Sequence, residues 1–380
     1  MEKKYIIINL GSSSKTYSVF STSPVTLSEA RSAKSNGQLM SMYFEEAANK
    51  KSYINSTQIF LKELKKLNLI DNITALGFRV VAPGKYFTQH RKIDNFFLKK
   101  LKAITKIDPL HTQNLILEIK KWQKLLPNIP LYGISDSEFH TTLPSQAQIY
   151  ALPKKITEKY EIYRFGYHGI SIASVIKKVE KLYKKLPENI IICHLSGGSS
   201  ITAIKNGFSV DTSMGFSPLE GVPMVTRIGN IDPEAVIYLS KKIKLDNLKN
   251  ILFNHSGMTG LTNYTDMRKI ISLAQKNNKT CLDALEIFAY SVAKYIGSYC
   301  ATLSGIDLLV FTGGIGEGSP LIRSLICQKL EFFGIFLDKE INNKSIDIDT
   351  FVNKINSTKI FICKTDEMNE IFLQTKKLNS

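Results

Sequence analysis

Tyr5-Ile-Ile-Ile-Asn-Leu-Gly-Ser-Ser-Ser14 and Ile190-Ile-Ile-Cys-His-Leu-Ser-Gly-Gly-Ser-Ser200 are two similar stretches in the two halves of the chain. Each is a short apolar run rich in β-branched residues that ends in a polar side chain and a Gly/Ser turn. A strand that stops in such a turn exposes backbone N–H groups and hydroxyls, which suit phosphate oxygens. The repetition predicts two related half-molecules and hence a two-domain phosphotransferase. Two unrelated hairpins are the alternative interpretation.

Length and composition are those of a globular protein with two domains. The chain has 380 residues, 43% of them hydrophobic and 22% charged, and its apolar runs are shorter than the roughly 18 residues that span a bilayer. The five cysteines form no CxxC pair and the six histidines no zinc-binding spacing. The sequence therefore predicts a cytoplasmic protein without a membrane partner, a disulfide framework or a zinc site.

The net charge of +17 raises the possibility of nucleic-acid binding. Only seven of the 50 basic residues are arginine, however, and the lysines are scattered along probable helix faces. This pattern indicates a solvated surface, so we expect no nucleic-acid partner. The scarce arginines are better candidates for gripping phosphate or carboxylate in a bidentate way, and three of them, Arg79, Arg227 and Arg268, lie in motifs described below.

Hydrophobic periodicity predicts alternating strands and helices in both halves. In the first half we expect a meander at 4–9, 15–20 and 24–30, then strands at 74–81 and 131–135. In the second half we expect a helix at about 170–185, a meander at 190–212 with an Asn206-Gly207 hairpin turn, a helix at about 282–303 and a strand at 306–312. The pattern predicts an α/β fold.

Several predicted strands end in a polar side chain or a glycine turn. Asn9, Asp136 and His194 close three of them, and Gly313-Gly-Ile-Gly-Glu317 follows a fourth. Ligands of open α/β sheets collect beyond the carboxyl ends of strands. The glycine turn favours a nucleotide, although many such turns only tighten a corner.

Two further segments have a composition typical of functional loops. His168 stands between glycines, which leaves its ring little covered; a core histidine is the alternative. Residues 212–221 are irregular and rich in Gly and Pro, and Arg227 follows them.

With these segments placed, the chain resembles the acetate kinase family, within the actin/hexokinase/Hsp70-like superfamily. The resemblance rests on eleven collinear motifs, which begin at Asn9, Arg79, Pro109, Asp136, Phe165, His194, Thr212, Thr226, Asp266, Phe311 and Thr365. It implies two duplicated ribonuclease H-like domains with an interdomain active-site cleft. The implied domains are 1–138 plus 369–380, for acyl and phosphate binding, and 139–368, for nucleotide binding.

The resemblance also implies an activity: reversible, direct in-line transfer of the ATP γ-phosphoryl group to acetate, giving acetyl phosphate and ADP. A homodimer is implied in the same way, as is Mg²⁺, with Mn²⁺ as an alternative, held by Asn9 and Glu367. By matched position the catalytic residues are Arg79, Asp136, His168 and Arg227. The implied substrate-binding residues are Arg79, Val81, Leu110, His111, Tyr167 and Pro218. The implied nucleotide- and phosphate-binding residues are Ser12, Ser14, His194, Gly197, Gly198, Asp266, Arg268, Gly313, Gly314, Ile315, Gly316 and Glu317.

The chain departs from the family pattern at several positions. Lys15 comes one residue earlier than the usual lysine, which on a strand moves the ammonium to the opposite face. Gly197 replaces a phosphate-loop asparagine, and Tyr167 replaces a phenylalanine of the acyl pocket. Two alternatives therefore stay open: a propionate or butyrate kinase of the same family, and a nucleotide-binding relative with impaired catalysis.

Overall fold

The computed structural model describes residues 2–11, 14–22, 37–45, 50–105 and 109–380. The chain divides into two units, unit 1 with Met1–Glu138 and Asp366–Ser380, and unit 2 with Phe139–Thr365. Asp366, the N-cap of the C-terminal helix, belongs to unit 1 together with that helix. Within the described ranges no helix is long and apolar enough to cross a membrane.

Unit 1 is built on a six-stranded sheet with the order β3-β2-β1-β4-β6-β5. Its strands are β1 (Lys4–Leu10), β2 (Ser14–Ser21), β3 (Gln38–Glu45), β4 (Ile73–Val80), β5 (Arg91–Lys92) and β6 (Leu131–Ser135). Its helices are α1 (Lys50–Ile54), α2 (Ser56–Lys66), α3 (Asn95–Ala103), α4 (Pro109–Leu125) and, from the C-terminus of the chain, α16 (Glu367–Leu378). The third meander strand was expected at 24–30, and these residues lie outside the described ones. The strand that pairs with β2 is β3.

Unit 2 carries a second six-stranded sheet with the order β9-β8-β7-β10-β12-β11. Its strands are β7 (Asn189–Leu195), β8 (Ser199–Lys205), β9 (Phe208–Thr212), β10 (Leu308–Thr312), β11 (Thr350–Phe351) and β12 (Lys359–Ile362). Its helices are α5 (Ser145–Gln148), α6 (Lys154–Tyr160), α7 (Gly169–Tyr183), α8 (Pro233–Ser240), α9 (Leu245–Asn254), α10 (Gly257–Thr262), α11 (Met267–Gln275), α12 (Lys279–Leu303), α13 (Gly313–Gly318), α14 (Pro320–Cys327) and α15 (Lys339–Lys344).

The two sheets have the same topology strand for strand. In each, a hairpin and a third antiparallel strand are followed by two parallel strands and an antiparallel edge strand. The two isoleucine-rich motifs that begin at Tyr5 and Ile190 lie in the equivalent hairpins β1-β2 and β7-β8. The expected duplication of an α/β domain is therefore confirmed.

The middle residues of the central strand β7 are apolar because both faces of the strand are covered. In β7, Ile191 and Cys193 pack into the cluster around α12, whereas Ile190 and Ile192 on the opposite face pack with side chains of α7. At the end of β8, Asn206 and Gly207 have φ values of 51° and 84°. This is the expected two-residue turn, in which both residues need the left-handed region.

Lys15 lies in the core of unit 1. Its Nζ is 3.7 Å from Glu118 Oε2, within 3.4 Å of the Tyr53 carbonyl oxygen and 4.5 Å from the centre of the Tyr53 ring. The Glu118 carboxylate, 1% exposed, also accepts hydrogen bonds from Tyr17 (2.9 Å) and Trp122 (3.1 Å). The shift of this lysine by one residue along the strand therefore gives it a structural partner inside the unit.

We predict that Glu118→Gln destabilises the protein by about 3 kcal/mol, because it leaves the Lys15 ammonium buried beside a neutral group. Urea unfolding measures the change. The matched control is Lys121→Ala, which removes the exposed partner of the same carboxylate at 3.8 Å and should cost no more than about 0.5 kcal/mol. Equal effects of the two variants would contradict this assignment.

Candidate active site

Three adjacent parallel strands of unit 1 bring candidate residues to one edge of the sheet. Asn9 lies near the carboxyl end of β1, Arg79 near that of β4, and Asp136 directly after β6. Glu367 is the first residue of α16. These four side chains, collected from distant parts of the sequence, form one cluster.

The Arg79 guanidinium is the centre of this cluster. Its Nε and Nη2 donate to the two carboxylate oxygens of Asp136, at 3.1 and 2.8 Å. Its Nη1 donates to Asn9 Oδ1 at 3.3 Å and lies 3.6 Å from Glu367 Oε2. Burial lowers the pKa of Arg79, but the attraction of Asp136 and Glu367 outweighs it and raises the pKa above its ordinary value. The bidentate pair fixes both the charge and the plane of this guanidinium.

Asn9 and Glu367 were expected to hold a divalent cation, and their chemistry fits one. The Asn9 amide nitrogen donates to Glu367 Oε2 at 2.7 Å, so an amide and a carboxylate lie side by side. Mg²⁺ prefers such oxygen ligands and usually takes only one or two protein carboxylates with waters and substrate phosphates. No group of three or more His, Cys, Asp and Glu side chains suited to a metal occurs among the described residues.

The turn after β1 is only partly described, and Ser12 lies outside the described residues. Ser14 begins β2, and the backbone N–H of Gly11 donates to its carbonyl oxygen at 2.9 Å. A Cβ on Gly11 would come within 2.7 Å of Ser14 Oγ, so this hydroxyl lies over the glycine. A larger residue at position 11 would therefore require the Ser14 hydroxyl to rotate away.

In unit 2, His168 precedes α7 with φ 62°, in the left-handed region that non-glycine residues rarely adopt. Its Nδ1 is hydrogen-bonded to Ser200 Oγ at 2.9 Å. Its ring is 4.2 Å from the ring of His194, whose Nδ1 is hydrogen-bonded to Ser171 Oγ at 2.8 Å. Both imidazoles are therefore oriented by a hydroxyl, and His194 supports His168 from one side.

Arg227 and His168 converge over Gly198. A Cβ on Gly198 would lie 3.2 Å from His168 Nε2 and 3.3 and 3.4 Å from Arg227 Nη1 and Nη2. Arg227 is 6% exposed, and its Nη1 donates to the Pro218 carbonyl oxygen at 2.9 Å. This places an imidazole nitrogen and a guanidinium on the same side of a glycine loop.

The neighbouring Gly197 has open space around it. A Cβ at this position would meet no heavy atom within 4 Å, and its φ is not in the left-handed region. The two glycines of the loop therefore differ: a side chain fits at 197 but would press on His168 and Arg227 at 198.

The expected acyl-pocket residues are distributed over both units. In unit 2, Tyr167 is fully buried and its hydroxyl donates to the Phe216 carbonyl oxygen at 2.8 Å, close in sequence to the buried Pro218. In unit 1, Val81 is buried just beyond the end of β4. Leu110 and His111 lie in the first turn of α4, and their side chains are outside what the structure describes.

The segment Gly313–Glu317, expected as a turn, forms the short helix α13. Gly313 has φ 77°, and a Cβ on it would come within 2.7 Å of the Leu195 carbonyl oxygen. The Glu317 carboxylate turns back and accepts hydrogen bonds from the Gly313 N–H at 2.8 Å and the Thr365 N–H at 3.1 Å. Burial raises the pKa of Glu317. Its side chain thus ties the start of α13 to the chain that follows β12.

The other members of this segment differ in exposure. Gly314 is exposed, whereas Ile315 and Gly316 are buried against the sheet.

Asp266 and Arg268 lie at the start of α11 and form a bidentate pair with both distances at 3.0 Å. Arg268 is 87% exposed, and its hydrogen bond lowers the pKa of Asp266.

The cluster that anchors the 212–221 loop was not predicted from the sequence. Glu220 pairs with Arg164, at 2.8 Å, and accepts a hydrogen bond from the Tyr150 hydroxyl. That hydroxyl also accepts from the Phe216 N–H at 2.9 Å. The scarcity of arginine could have pointed to this cluster, because Arg164 is one of only seven arginines in the chain. It lies outside the motifs used for the family resemblance.

The chain is similar to proteins of one family along almost its entire length. A sequence model of the Acetokinase family matches residues 4–373. The acetate kinase of Carboxydothermus hydrogenoformans is 38% identical over 396 residues, 99% of each chain. The acetate kinase of Thermotoga maritima is 40% identical over 326 residues, 84% of this chain and 79% of its own.

Solved structures agree with the sequence comparisons. A propionate kinase from Francisella tularensis superposes with a TM-score of 0.85 at 33% identity, over 99% of each chain. Porphyromonas gingivalis acetate kinase superposes with a TM-score of 0.82 at 27% identity, over 100% of each chain. Because the match covers both duplicated units and every motif named above, this chain belongs to the acetokinase family.

Proposed function

We propose that the protein is an acetate kinase that transfers the γ-phosphoryl group of ATP to acetate and runs in both directions. The single observation that supports this most is the pair of oriented cationic groups, Arg79 held by Asp136 and Arg227 beside His168. Phosphoryl transfer asks a protein mainly for positioning and for stabilisation of spreading negative charge. These groups supply both.

In this mechanism a carboxylate oxygen of acetate attacks the γ-phosphorus in line with the bridging oxygen of ADP. The new P–O bond forms as the β,γ-bridging P–O bond breaks, and ADP leaves with the electron pair; no proton is transferred. Arg79 and Arg227 bind the equatorial oxygens and the carboxylate, and His168 Nε2 donates to the transition state. Asp136 acts by holding the guanidinium plane of Arg79.

The remaining proposed roles concern binding. Asn9 and Glu367 would hold Mg²⁺, which would supply positive charge to offset the negative charge of the phosphates. The nucleotide would bind to Asp266, Arg268 and Gly313–Glu317, with Ser12, Ser14, His194, Gly197 and Gly198 toward the phosphates. The acetate methyl group would lie among Val81, Leu110, Tyr167 and Pro218, with His111 nearby in the acetate pocket.

We further propose that the protein works as a cytoplasmic homodimer. Helix α8 supports the dimer: Ile237 and Tyr238 are 49% and 58% exposed, and none of the helix's residues is buried. Exposed apolar side chains that adjoin one another can form part of an interface with a second copy of the chain.

The first test is a hydroxamate assay with ATP, Mg²⁺ and acetate, in which we expect acyl phosphate well above background. A propionate kinase is the second candidate, favoured by the similarity to the Francisella enzyme. One methylene in the substrate changes transition-state binding by about 1–3 kcal/mol. Comparing kcat/KM for acetate, propionate and butyrate therefore distinguishes an acetate kinase from a propionate or butyrate kinase. ATP binding without product from folded protein would instead indicate a catalytically impaired relative.

We predict that Arg79→Ala and Arg227→Ala each lower kcat by about 100-fold or more, the scale of losing one oriented transition-state donor. Steady-state kinetics at saturating ATP measures the loss. Arg91→Ala is the control: this guanidinium lies over the Tyr86 ring, 4.4 Å from its centre, and donates to the Tyr86 carbonyl oxygen and to Gln89 Oε1. A loss of kcat in the control equal to that in the variants would contradict the proposed roles.

A second prediction compares the two loop glycines. Gly197→Asn should fold normally and lower the KM for ATP by about threefold to tenfold, because it adds one amide donor where space is open. Gly198→Ala should instead lower kcat by about tenfold, because its methyl group displaces the two donors above it. If Gly197→Asn weakens ATP binding, the loop does not face phosphate.

A further inference from the structure

Arg323 of α14 is fully buried and makes five hydrogen bonds to oxygen atoms. Its Nη1 donates to the carbonyl oxygens of Gly316 and Glu317, at 2.7 and 2.9 Å. Its Nη2 donates to those of Asn342 and Ser345, at 3.2 and 2.6 Å. Its Nε donates to the side-chain oxygen of Asn342 at 2.7 Å. The planar fork thus joins three segments that are separate in sequence.

The carbonyl groups that bind Arg323 belong to the ends of two short helices. Gly316 and Glu317 lie in the last turn of α13, and Asn342 and Ser345 at the end of α15. The last carbonyls of a helix have no partner within it and carry partial negative charge, which favours a cation there. Burial lowers the pKa of Arg323 to about 10, so the group is still charged at neutral pH.

Helix α13 depends on such contacts for its position. It has six residues, and an isolated helix of that length is not stable in water. The Glu317 carboxylate binds the N–H of Gly313 at its start, and Arg323 binds the carbonyls at its end. The two ends are therefore fixed by different side chains, one from the helix itself and one from α14.

We propose that Arg323 is the positioning residue of the nucleotide site: it sets the orientation of α13 and thereby the affinity for ADP and ATP. This inference rests on the proposed function only in taking Gly313–Glu317 as a nucleotide-binding segment. Arg323 itself is fully covered and does not contact the nucleotide. Its effect should appear in nucleotide binding and leave acetate binding unchanged.

The test compares Arg323→Lys with Ile326→Ala, a fully buried residue of the same helix. A lysine keeps the positive charge but lacks the fork that reaches both helix ends. We expect Arg323→Lys to raise the calorimetric Kd for ADP, and the KM for ATP, by about tenfold, while the KM for acetate stays within about twofold. Ile326→Ala should lower the melting temperature at least as much and leave the Kd for ADP within about twofold.

The inference is overturned if Arg323→Lys binds ADP as the wild type does, or if Ile326→Ala loses the same affinity. If Arg323→Lys does not fold, Asn342→Ala replaces it in the test, because this variant removes one side-chain acceptor of Arg323 and keeps the backbone carbonyl acceptors. An unchanged Kd for ADP in Asn342→Ala contradicts the inference, and a rise of about twofold or more supports it. If the wild type forms no acyl phosphate but binds ADP, and Arg323→Lys binds ADP more weakly, the proposed function is rejected and this inference is supported. A wild type that binds no ADP rejects the inference.

Discussion

The desolvation of buried cations is the constraint on which the arrangement of this molecule depends. A buried charge needs an opposite charge or several oriented dipoles, and the need is strong enough to determine where neighbouring segments lie. Arg79 is matched by the Asp136 carboxylate, and Lys15 by Glu118. Arg323 is held by the carbonyl ends of two helices, and Arg227 by the carbonyl oxygen of Pro218. Each cation thereby fixes a segment that carries candidate functional residues.

The duplication explains why these segments occur in equivalent places. In both units the hairpin and the parallel strand beside it have the same order and direction, so the carboxyl ends of the central strands form similar edges. Asn9 and His194 lie near the ends of the equivalent strands β1 and β7. The two edges nevertheless carry different chemistry: a carboxylate-paired guanidinium in unit 1, and an imidazole and a guanidinium over glycine in unit 2.

Much of this could be predicted from the sequence, because the signals were local. The β-branched runs before Gly/Ser turns gave the hairpins, and a polar residue at a strand end gave Asn9 and Asp136. The collinear motifs gave the family, which the comparisons confirm. The site assignments carried over from the family remain predictions.

The features that could not be predicted depend on long-range contacts. Nothing around Arg323 in the sequence indicates that it binds the ends of α13 and α15, and the partner of Lys15 lies far away on α4. The helical form of Gly313–Glu317 is another case, since a glycine-rich segment has low helix propensity and is held here by side chains at both ends. Tertiary contacts overrode the local preference.

The proposed function requires that Arg79 and Arg227 both act on the migrating phosphoryl group. A crystal structure with ADP, Mg²⁺, acetate and aluminium fluoride as a planar phosphoryl mimic tests it most directly. The account predicts that Arg79 and Arg227 each donate to fluorine atoms of the mimic at about 3 Å. A mimic bound in line with ADP, with either guanidinium directed away from it, would contradict the account.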